Sequence, residues 1–303
     1  MNGLFLKTVL ADGIAPLVDS GFSSNINTLS ALDIWVLAFL FGFQIYFDFA
    51  GYSMIAIGSA RLMGITFPDN FNFPYIANSP RNFWKRWHIS LSSWVRDYLY
   101  LPLCGISPKD NSQGGIEPIE NYISNSRKTA ALFGTWAIMG LWHGANWTFI
   151  IWGVWHSLLI YSQRQIQKIF KIYNKSISKI FGWLITIPLI MIGWIPFRAE
   201  SVSDTFQMLK IVLDWKNYIL IDELSNPYIW AILPININPL SYITTALLVL
   251  SMPIVYIGWR YFLPLIKSNP RISFPAIFTY GSILIALVFI YLKPVQQFIY
   301  FAF

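Results

Sequence analysis

The feature that most constrains the fold is a series of long apolar segments, of which Leu29–Met63 is the first. A helix of about 20 apolar residues is long enough to cross the hydrocarbon core of a bilayer. Only 12% of the residues are charged, whereas a soluble domain averages about 25%. Because a backbone in lipid must satisfy its own hydrogen bonds, such segments fold as helices. We therefore predict an all-α, polytopic membrane protein. Further spans are predicted at Thr148–Ser162, Phe181–Phe197, Ser241–Phe262 and Phe274–Leu292.

The charge distribution predicts an orientation and argues against a nucleic-acid partner. The net charge is +7, but the bases cluster at the ends of apolar segments, which is typical of orientation signals and lipid-headgroup anchors. By the positive-inside rule, residues 164–179 and 263–272 are predicted to be cytoplasmic. Cys104 is the single cysteine of the chain, so an internal disulfide is excluded.

The stretch Arg81–Leu103, RNFWKRWHISLSSWVRDYLYLPL, is aromatic and basic together. At about 100° per residue, a helix through it places polar and basic side chains on one narrow stripe and aromatic side chains on the opposite arc. His88 lies at the border between the two. This pattern predicts an interfacial or re-entrant helix rather than a simple span. The stripe consists of Arg81, Lys85, Ser92 and Arg96.

The second unusual stretch is Gly140–Trp147, GLWHGANW, which contains His143. An ionisable residue at membrane depth is costly and is by default a functional-site hypothesis. Two glycines are expected to clear space beside the imidazole for a substrate, and two tryptophans to wall that space. An imidazole is a suitable general base for an alcohol. The alternative is a hydrogen-bonded core histidine between closely packed helices. The four flanking residues are Gly140, Gly144, Trp142 and Trp147.

Three further polar residues in apolar surroundings have to be interpreted. His88 is either an interfacial group among lipid-binding bases or a second imidazole that orients the nucleophile or stabilises an oxyanion. His156, in WGVWHSLLI, is interpreted as a packing residue. Asp48, in YFDFAGYS, is either a buried hydrogen-bonding anchor or a functional carboxylate. The sequence contains no zinc-binding spacing, phosphate loop or nucleophile elbow, so no metal site is predicted.

Several of these stretches together resemble the membrane-bound O-acyltransferase family. They are YFDFAGYSMIAIG, NFPYIANSPRNFWKRWHISLSSWVRDYLYLPL, GLWHGANWTFIIWGVWH and the terminal FIYFAF. The resemblance runs nearly from end to end, and the branch it indicates acts on alginate and other bacterial polysaccharides and cell-wall polymers. It implies a bundle of transmembrane and re-entrant or interfacial helices in a single domain, residues 1–303. Family members begin with several further membrane helices, so the chain is expected to correspond to the C-terminal part of the family fold.

The resemblance implies transfer of an acyl group, usually acetyl, to hydroxyls of an exported polysaccharide or cell-wall polymer. The donor would be acetyl-CoA or another acyl thioester, with no bound cofactor. The expected location is the bacterial cytoplasmic membrane, in contact with its lipids and with a secreted or membrane-anchored acetyltransferase partner.

The family's catalytic histidine corresponds to His143 in GLWHGA, and its second active-site histidine to His88 in KRWHIS. The tryptophans nearby are expected to line a tunnel for the acyl donor, and the arginines to meet anionic groups of the donor or of lipids. The substrate-binding residues predicted in this way are Trp84, Trp87 and Trp142, Arg86 and Arg96, and in addition Asn146 and Asp48.

Two other functions fit the composition. In a transporter or flippase component, the histidines would relay protons and residues 81–96 would gate a substrate. Such proteins often contain internal repeats, and none is visible here. In an inactive scaffold, the chain would only dock a secreted acetyltransferase.

Overall fold

The computed structural model describes residues 1–106, 123–169, 179–218, 237–268 and 270–291. Within these ranges the regular structure is entirely helical and contains no strand, which confirms the predicted all-α class. Three short segments are π-helical. They are Phe5–Ala11, Arg96–Tyr100 and Gly258–Phe262. The α-helices are α1 (Asn2–Leu4), α2 (Asp12–Phe22), α3 (Ala31–Leu62), α4 (Pro80–Trp84), α5 (Ile89–Val95), α6 (Leu101–Cys104), α7 (Asn125–His143), α8 (Trp147–Ile169), α9 (Lys179–Arg198), α10 (Val202–Leu213), α11 (Pro239–Ile257), α12 (Leu263–Ser268) and α13 (Pro270–Ile290).

In the described part of the chain, three helical stretches are long and apolar enough to cross a membrane: Ala31–Leu62, Lys179–Arg198 and Pro239–Ile266. They agree with three of the predicted spans. A shorter apolar helix, Pro275–Ile290, lies at the fourth. The fifth predicted span lies within α8, which is less apolar, and its transmembrane placement stays a prediction. The predicted cytoplasmic segment 164–179 lies partly, and the C-terminal tail wholly, outside the described residues.

The chain divides into two compact units. The first unit comprises Met1–Pro68 and Arg198–Phe303, and the second unit comprises Asp69–Phe197. Both histidines that the sequence predicts to be catalytic, His88 and His143, belong to the second unit. A single domain over residues 1–303 stays a prediction.

The first unit is organised around α3, whose start is fixed by a capping box. The Ser30 hydroxyl accepts a hydrogen bond from the Asp33 N–H, and the Asp33 carboxylate accepts one from the Ser30 N–H. Farther along α3, Asp48 is 1% exposed and forms a 2.6 Å ion pair with Lys7 of the N-terminal π-helix. The ion pair neutralises a carboxylate that would otherwise be buried at high cost.

The close approach of the N-terminal segment to α3 requires glycine on both sides. A Cβ at Gly51 would lie 2.8 Å from the Gly3 carbonyl oxygen, and a Cβ at Gly3 would lie 2.6 Å from the Gly51 oxygen. Helix backbones therefore meet here without intervening side chains, which places Lys7 within reach of Asp48.

In the second unit, the helix predicted through Arg81–Leu103 is interrupted. Helix α4 ends at Trp84 and α5 begins at Ile89, with turns and bends between them. His88 caps the start of α5 with a φ of 42°, in the left-handed region, which a right-handed helix does not include. The prediction of one continuous helix was therefore wrong.

The interruption is stabilised by the connector that precedes α4. The Asn72 N–H donates to the Arg86 carbonyl oxygen at 3.0 Å, and the Ile89 N–H donates to the Asn70 oxygen at 2.9 Å. The Asn70 side-chain oxygen also accepts a hydrogen bond from the Ser90 hydroxyl. These bonds occupy backbone groups that would otherwise serve a continuous helix, and helical periodicity gives no sign of them.

Helices α7 and α8 pack against each other through glycine. A Cβ at Gly140 would lie 2.4 Å from the Phe149 carbonyl oxygen, and a Cβ at Gly153 would lie 2.2 Å from the Trp136 oxygen. Asn146 caps the start of α8, because its side-chain oxygen accepts a hydrogen bond from the Thr148 N–H at 3.1 Å. This tight helical hairpin determines where His143 lies.

Candidate active site

His143 is the last residue of α7, and aromatic rings surround its imidazole. The ring of Trp152, from α8, and that of Phe197, from α9, each lie 5.0 Å away, centroid to centroid, and meet it edge to face. Trp142 lies 4.9 Å away and Phe149 6.3 Å away. The imidazole is only partly exposed, so aromatic side chains from three helices fix its position.

The sequence suggested that the glycines beside His143 clear space for a substrate. This prediction was wrong. The position of a Cβ at Gly140 is taken by the backbone of Phe149, and a Cβ at Gly144 would lie 2.5 Å from the Phe149 ring. These glycines therefore permit close helix packing. They act on His143 indirectly, because the hairpin brings Trp152 next to it.

His88 lies at the junction between α4 and α5 in a left-handed conformation. For a residue other than glycine this conformation costs on the order of 1–3 kcal/mol, and such strain clusters at functional sites. Burial lowers the pKa of His88 to about 4. Its imidazole is therefore neutral at pH 7, with one N–H donor and one nitrogen acceptor.

The two imidazoles are close enough to interact electrostatically. Burial, and then the charge of His88, lower the pKa of His143 to about 3. A charge on His88 can have this effect only at short range through a poorly solvated region. Both rings are neutral at pH 7. Such a pair can accept a proton at one nitrogen and donate a hydrogen bond from another.

A chain of ring contacts also connects the neighbourhood of His88 to His143. Trp87 lies 5.1 Å from Trp194 of α9, and Trp194 lies 5.6 Å from Phe197. Phe197 in turn contacts His143. The junction between α4 and α5 is thus packed onto the same helix that supports His143, which explains how segments far apart in sequence converge.

Four of the predicted substrate-binding residues surround this region in different ways. Trp84 and Arg96 line a cavity in the second unit. Trp87 is 2% exposed and belongs to the core. Trp142 is 61% exposed beside His143, where it can meet a ligand. Their roles in substrate binding stay predictions.

The other three predicted residues are engaged with the protein. Arg86 donates to the Asn82 side-chain oxygen at 3.0 Å and to the Asn72 carbonyl oxygen at 2.9 Å, so it ties the connector to α4. Asn146 is exposed and caps α8. Asp48 lies in the first unit, in the buried ion pair with Lys7. These contacts agree with the interpretation of Asp48 as an anchor.

His156, interpreted from the sequence as a packing residue, is fully buried. Its ring lies 5.0 Å from both Trp84 and Trp152 and 5.6 Å from Trp136. Because Trp152 also contacts His143, this cluster connects the surroundings of His143 with Trp84.

Sequence reasoning missed Trp136, Trp152 and Phe197. Trp136 and His143 are seven residues apart on α7, and Phe149, Trp152 and His156 follow at intervals of three and four on α8. This spacing places each set on one helix face. The signal was therefore present in the sequence, but aromatic residues are so common in this chain that it did not stand out. No group of three or more candidate metal ligands occurs among the described residues.

Comparison with known proteins gives several similar sequences. Residues 22–115, which include His88, match the model of MBOAT, the membrane-bound O-acyltransferase family. The chain is 38% identical to a probable alginate O-acetylase AlgI of Azotobacter vinelandii over 222 residues, 73% of this chain and 40% of that protein.

Two relatives carry other names. The chain is 38% identical to the peptidoglycan O-acetyltransferase of Helicobacter pylori over 208 residues, 69% of this chain and 36% of that protein. It is 35% identical to a teichoic acid D-alanyltransferase of Streptococcus thermophilus over 147 residues, 48% of this chain and 31% of that protein. The chain thus spans about two fifths of the length of the first of these relatives and less of the others. Together with the family match, these similarities establish that this chain belongs to the membrane-bound O-acyltransferase family.

Proposed function

We propose that the protein transfers an acyl group, acetyl in the first instance, from a thioester donor to hydroxyls of an exported polysaccharide or cell-wall polymer. The observation that carries the proposal is the electrostatic interaction between two partly buried, neutral imidazoles in the motifs KRWHIS and GLWHGA. The relatives' names supply the substrate class, since they include an alginate O-acetylase and a peptidoglycan O-acetyltransferase.

In the proposed mechanism, His143 accepts the proton of the acceptor hydroxyl as the oxygen attacks the thioester carbonyl carbon. A C–O bond forms, and the carbonyl becomes a tetrahedral oxyanion. When the C–S bond breaks, the thiolate leaves and takes the proton from His143, so the enzyme returns to its starting state. General base catalysis of this kind contributes about 10²–10⁴-fold to a rate.

His88 has the complementary role. Its neutral imidazole donates an N–H hydrogen bond to the thioester carbonyl oxygen and stabilises the charge that develops there. Packing by Trp152 and Phe197 holds the His143 ring and keeps bulk water from it. The same low polarity strengthens both interactions.

The proposed setting is the bacterial cytoplasmic membrane, with several helices crossing it. Acetyl-CoA or another acyl thioester is the donor, and a secreted or membrane-anchored acetyltransferase is the partner that acts on the exported polymer. No metal or other cofactor enters the mechanism.

The experiment is to replace His143 by Gln and measure O-acetylation of the exported polymer in cells that depend on this protein. We expect the acetyl content to fall by about 100-fold or more, with the protein present at its normal level. Hydrolysis of the thioester donor by purified protein is measured in parallel, because a transporter or an inactive scaffold would not cleave it. Acetylation at the wild-type rate in the variant would contradict the assignment of His143.

A further inference from the structure

A cavity of about 390 Å³ lies within the first unit, between two segments that are distant in sequence. One wall is formed by residues 22–26, at the end of α2 and in the loop after it, and the other by residues 198–208, which include the start of α10. Its volume is within the range of small-molecule sites. The lining is mainly polar, in contrast to the aromatic surroundings of His143. The polar lining residues are Ser23, Ser24, Asn25, Arg198, Glu200, Asp204 and Gln207.

The cavity lies on the side of the first unit where α3 and α11 begin. The Gln207 amide of α10 donates a hydrogen bond at 2.5 Å to the side-chain oxygen of Asn27, just before α3. The Tyr242 hydroxyl, in the first turn of α11, donates to the Asp33 carboxylate in the first turn of α3. Both helices belong to stretches that are long and apolar enough to cross a membrane. The cavity is therefore at one end of two predicted spans.

The opposite ends of these two spans carry basic residues. Arg61 lies in the last turn of α3. The apolar stretch Pro239–Ile266, which starts with α11, leads to Lys267 in the predicted cytoplasmic segment 263–272. By the positive-inside rule, the basic ends are cytoplasmic and the cavity faces the opposite side of the membrane. A ligand of this cavity is therefore a molecule on the exported side.

The charges around the cavity disfavour an anion. Arg198 is the one cation among the described lining residues, and its guanidinium donates to the Asp19 carboxylate at 3.0 Å. The same guanidinium lies over the Phe22 ring, 5.3 Å from its centroid. Glu200 and Asp204 add two carboxylates to the lining. An anionic ligand would meet net negative charge, which repels it.

The lining offers hydrogen-bond donors and acceptors together. Carboxylates only accept, whereas amides and hydroxyls both donate and accept. An uncharged ligand with several hydroxyls can bond to all three kinds of group at once, because each of its hydroxyls is also both donor and acceptor. A metal ion is not favoured, since the described part of the chain contains no group of three or more candidate metal ligands.

Three of the lining groups are held in place by the protein itself. The Asn25 side-chain oxygen accepts a hydrogen bond from the Asn27 N–H at 3.0 Å, and Asn27 in turn holds the Gln207 amide. The Asp204 carboxylate accepts a hydrogen bond from the Ser201 hydroxyl at 2.7 Å. Groups that are already ordered lose little conformational freedom when a ligand binds. The cavity is thus arranged in advance for a polar ligand.

We propose that this cavity binds an uncharged sugar unit of a glycan on the exported side of the membrane. The sugar hydroxyls bond to the amides of Asn25 and Gln207 and to the carboxylates of Glu200 and Asp204, and the C–H face of the ring packs against Ile26. A sugar that carries a carboxylate, as in a uronate polymer, is repelled by the two acidic residues. That the glycan is the acceptor of the acyl group rests on the proposed function, whereas the binding itself does not.

The test is isothermal titration calorimetry on the purified protein in lipid nanodiscs at low ionic strength. Nanodiscs are needed because maltoside detergents carry a sugar, and low ionic strength because salt screens exposed charges. The probes are chitotetraose, which is uncharged, and a mannuronate tetramer, which has one carboxylate on each sugar. We expect the wild type to bind chitotetraose about tenfold or more tightly than the mannuronate tetramer.

The first variant is Gln207→Met, which keeps the length of the side chain but removes the amide. It should weaken the binding of chitotetraose about fivefold. The matched control is Gln167→Met, which changes a partly exposed glutamine of α8 outside the cavity. The control should bind chitotetraose as the wild type does.

The second variant tests the charge through a gain of binding, which misfolding cannot produce. Glu200→Lys should bind the mannuronate tetramer about tenfold more tightly than the wild type does. Asp214→Lys makes the same change in net charge at an exposed position just after α10, outside the cavity. This control should leave the affinity for both probes unchanged.

The proposal is overturned if the wild type binds neither probe, or binds the mannuronate tetramer as tightly as chitotetraose. It is also overturned if either Gln207→Met or Glu200→Lys binds both probes as the wild type does. Hydrolysis of the thioester donor by the wild type is measured separately. A protein that hydrolyses the donor but binds neither sugar overturns the sugar site alone, and one that binds the sugar but leaves the donor intact overturns acyl transfer alone.

Discussion

The packing of the α7–α8 hairpin makes a prediction about two glycines of one helix. Gly140→Ala places a Cβ 2.4 Å from the Phe149 carbonyl oxygen and 2.9 Å from its carbonyl carbon. Both atoms are backbone, so neither can rotate away. Gly134→Ala, on the same helix, meets only a Leu103 methyl at 3.9 Å, an ordinary contact. The two substitutions are chemically identical and differ only in the space around them.

The magnitudes follow from that difference. Alanine in place of glycine stabilises a helix by about 0.5–1 kcal/mol, as we expect for Gly134→Ala. At Gly140 the same gain is outweighed by overpacking, which costs about 1–3 kcal/mol or more when backbones must separate. The separation also moves Trp152 relative to His143. We therefore expect Gly140→Ala to be less stable than Gly134→Ala by about 1–3 kcal/mol and to lose acyl transfer.

Cys104 supplies the assay. It is the single cysteine of the chain and is 3% exposed, packed against Ala131 of α7. A thiol-reactive fluorescent dye in detergent therefore reports thermal unfolding of the second unit. We expect the midpoint to fall for Gly140→Ala and to stay level or rise for Gly134→Ala. Equal midpoints for the two variants would refute the close helix contact on which the position of His143 depends.

Two further predictions concern buried charge. Lys7→Met leaves the buried Asp48 carboxylate without its ion pair, which should lower the free energy of unfolding by about 3–5 kcal/mol. Adding Asp48→Asn to Lys7→Met should restore part of the lost stability, as measured by thermal unfolding. If Lys7→Met is as stable as the wild type, the ion pair is not formed. The second prediction is acid sensitivity. The pKa values of His88 and His143, about 4 and about 3 in the folded protein, lie below the usual value near 6.5. Between pH 6.5 and pH 4 the unfolded chain therefore binds protons that the folded chain does not. The free energy of unfolding decreases as the pH is lowered through this range. At pH 5 each histidine should lower the free energy of unfolding by about 2 kcal/mol relative to its value at pH 7. Followed by circular dichroism, a double variant with His88→Gln and His143→Gln should lose the share of this dependence that these two residues contribute, and an equal slope in the variant would assign that share elsewhere.

The fold class could be predicted because its signal is local. Runs of apolar residues long enough to cross a bilayer, such as that at Leu29–Met63, lead directly to helices. The two histidine-bearing stretches also stood out, since an imidazole in aromatic sequence is rare and chemically costly.

The break between α4 and α5 could not be predicted in this way. It depends on hydrogen bonds that Asn70 accepts and Asn72 donates, whose partners are set by the tertiary fold and leave no periodicity in the sequence. The misread glycines have a similar cause. Gly140 could serve either a substrate or a neighbouring helix, and only the position of Phe149 decides between them. Likewise, nothing in the sequence near Lys7 indicates that it forms an ion pair with Asp48, which is distant along the chain.

The most direct test of the account asks whether His88 and His143 share one site. His88→Cys and His143→Cys are combined in a Cys104→Ser background and treated with a short bis-maleimide, and the digested protein is analysed by mass spectrometry. The account predicts an intramolecular cross-link in this variant and none when His88→Cys is combined instead with a cysteine at Ser162, an exposed position on α8. If both cysteines at 88 and 143 react with the reagent singly but never with each other, the two imidazoles do not converge.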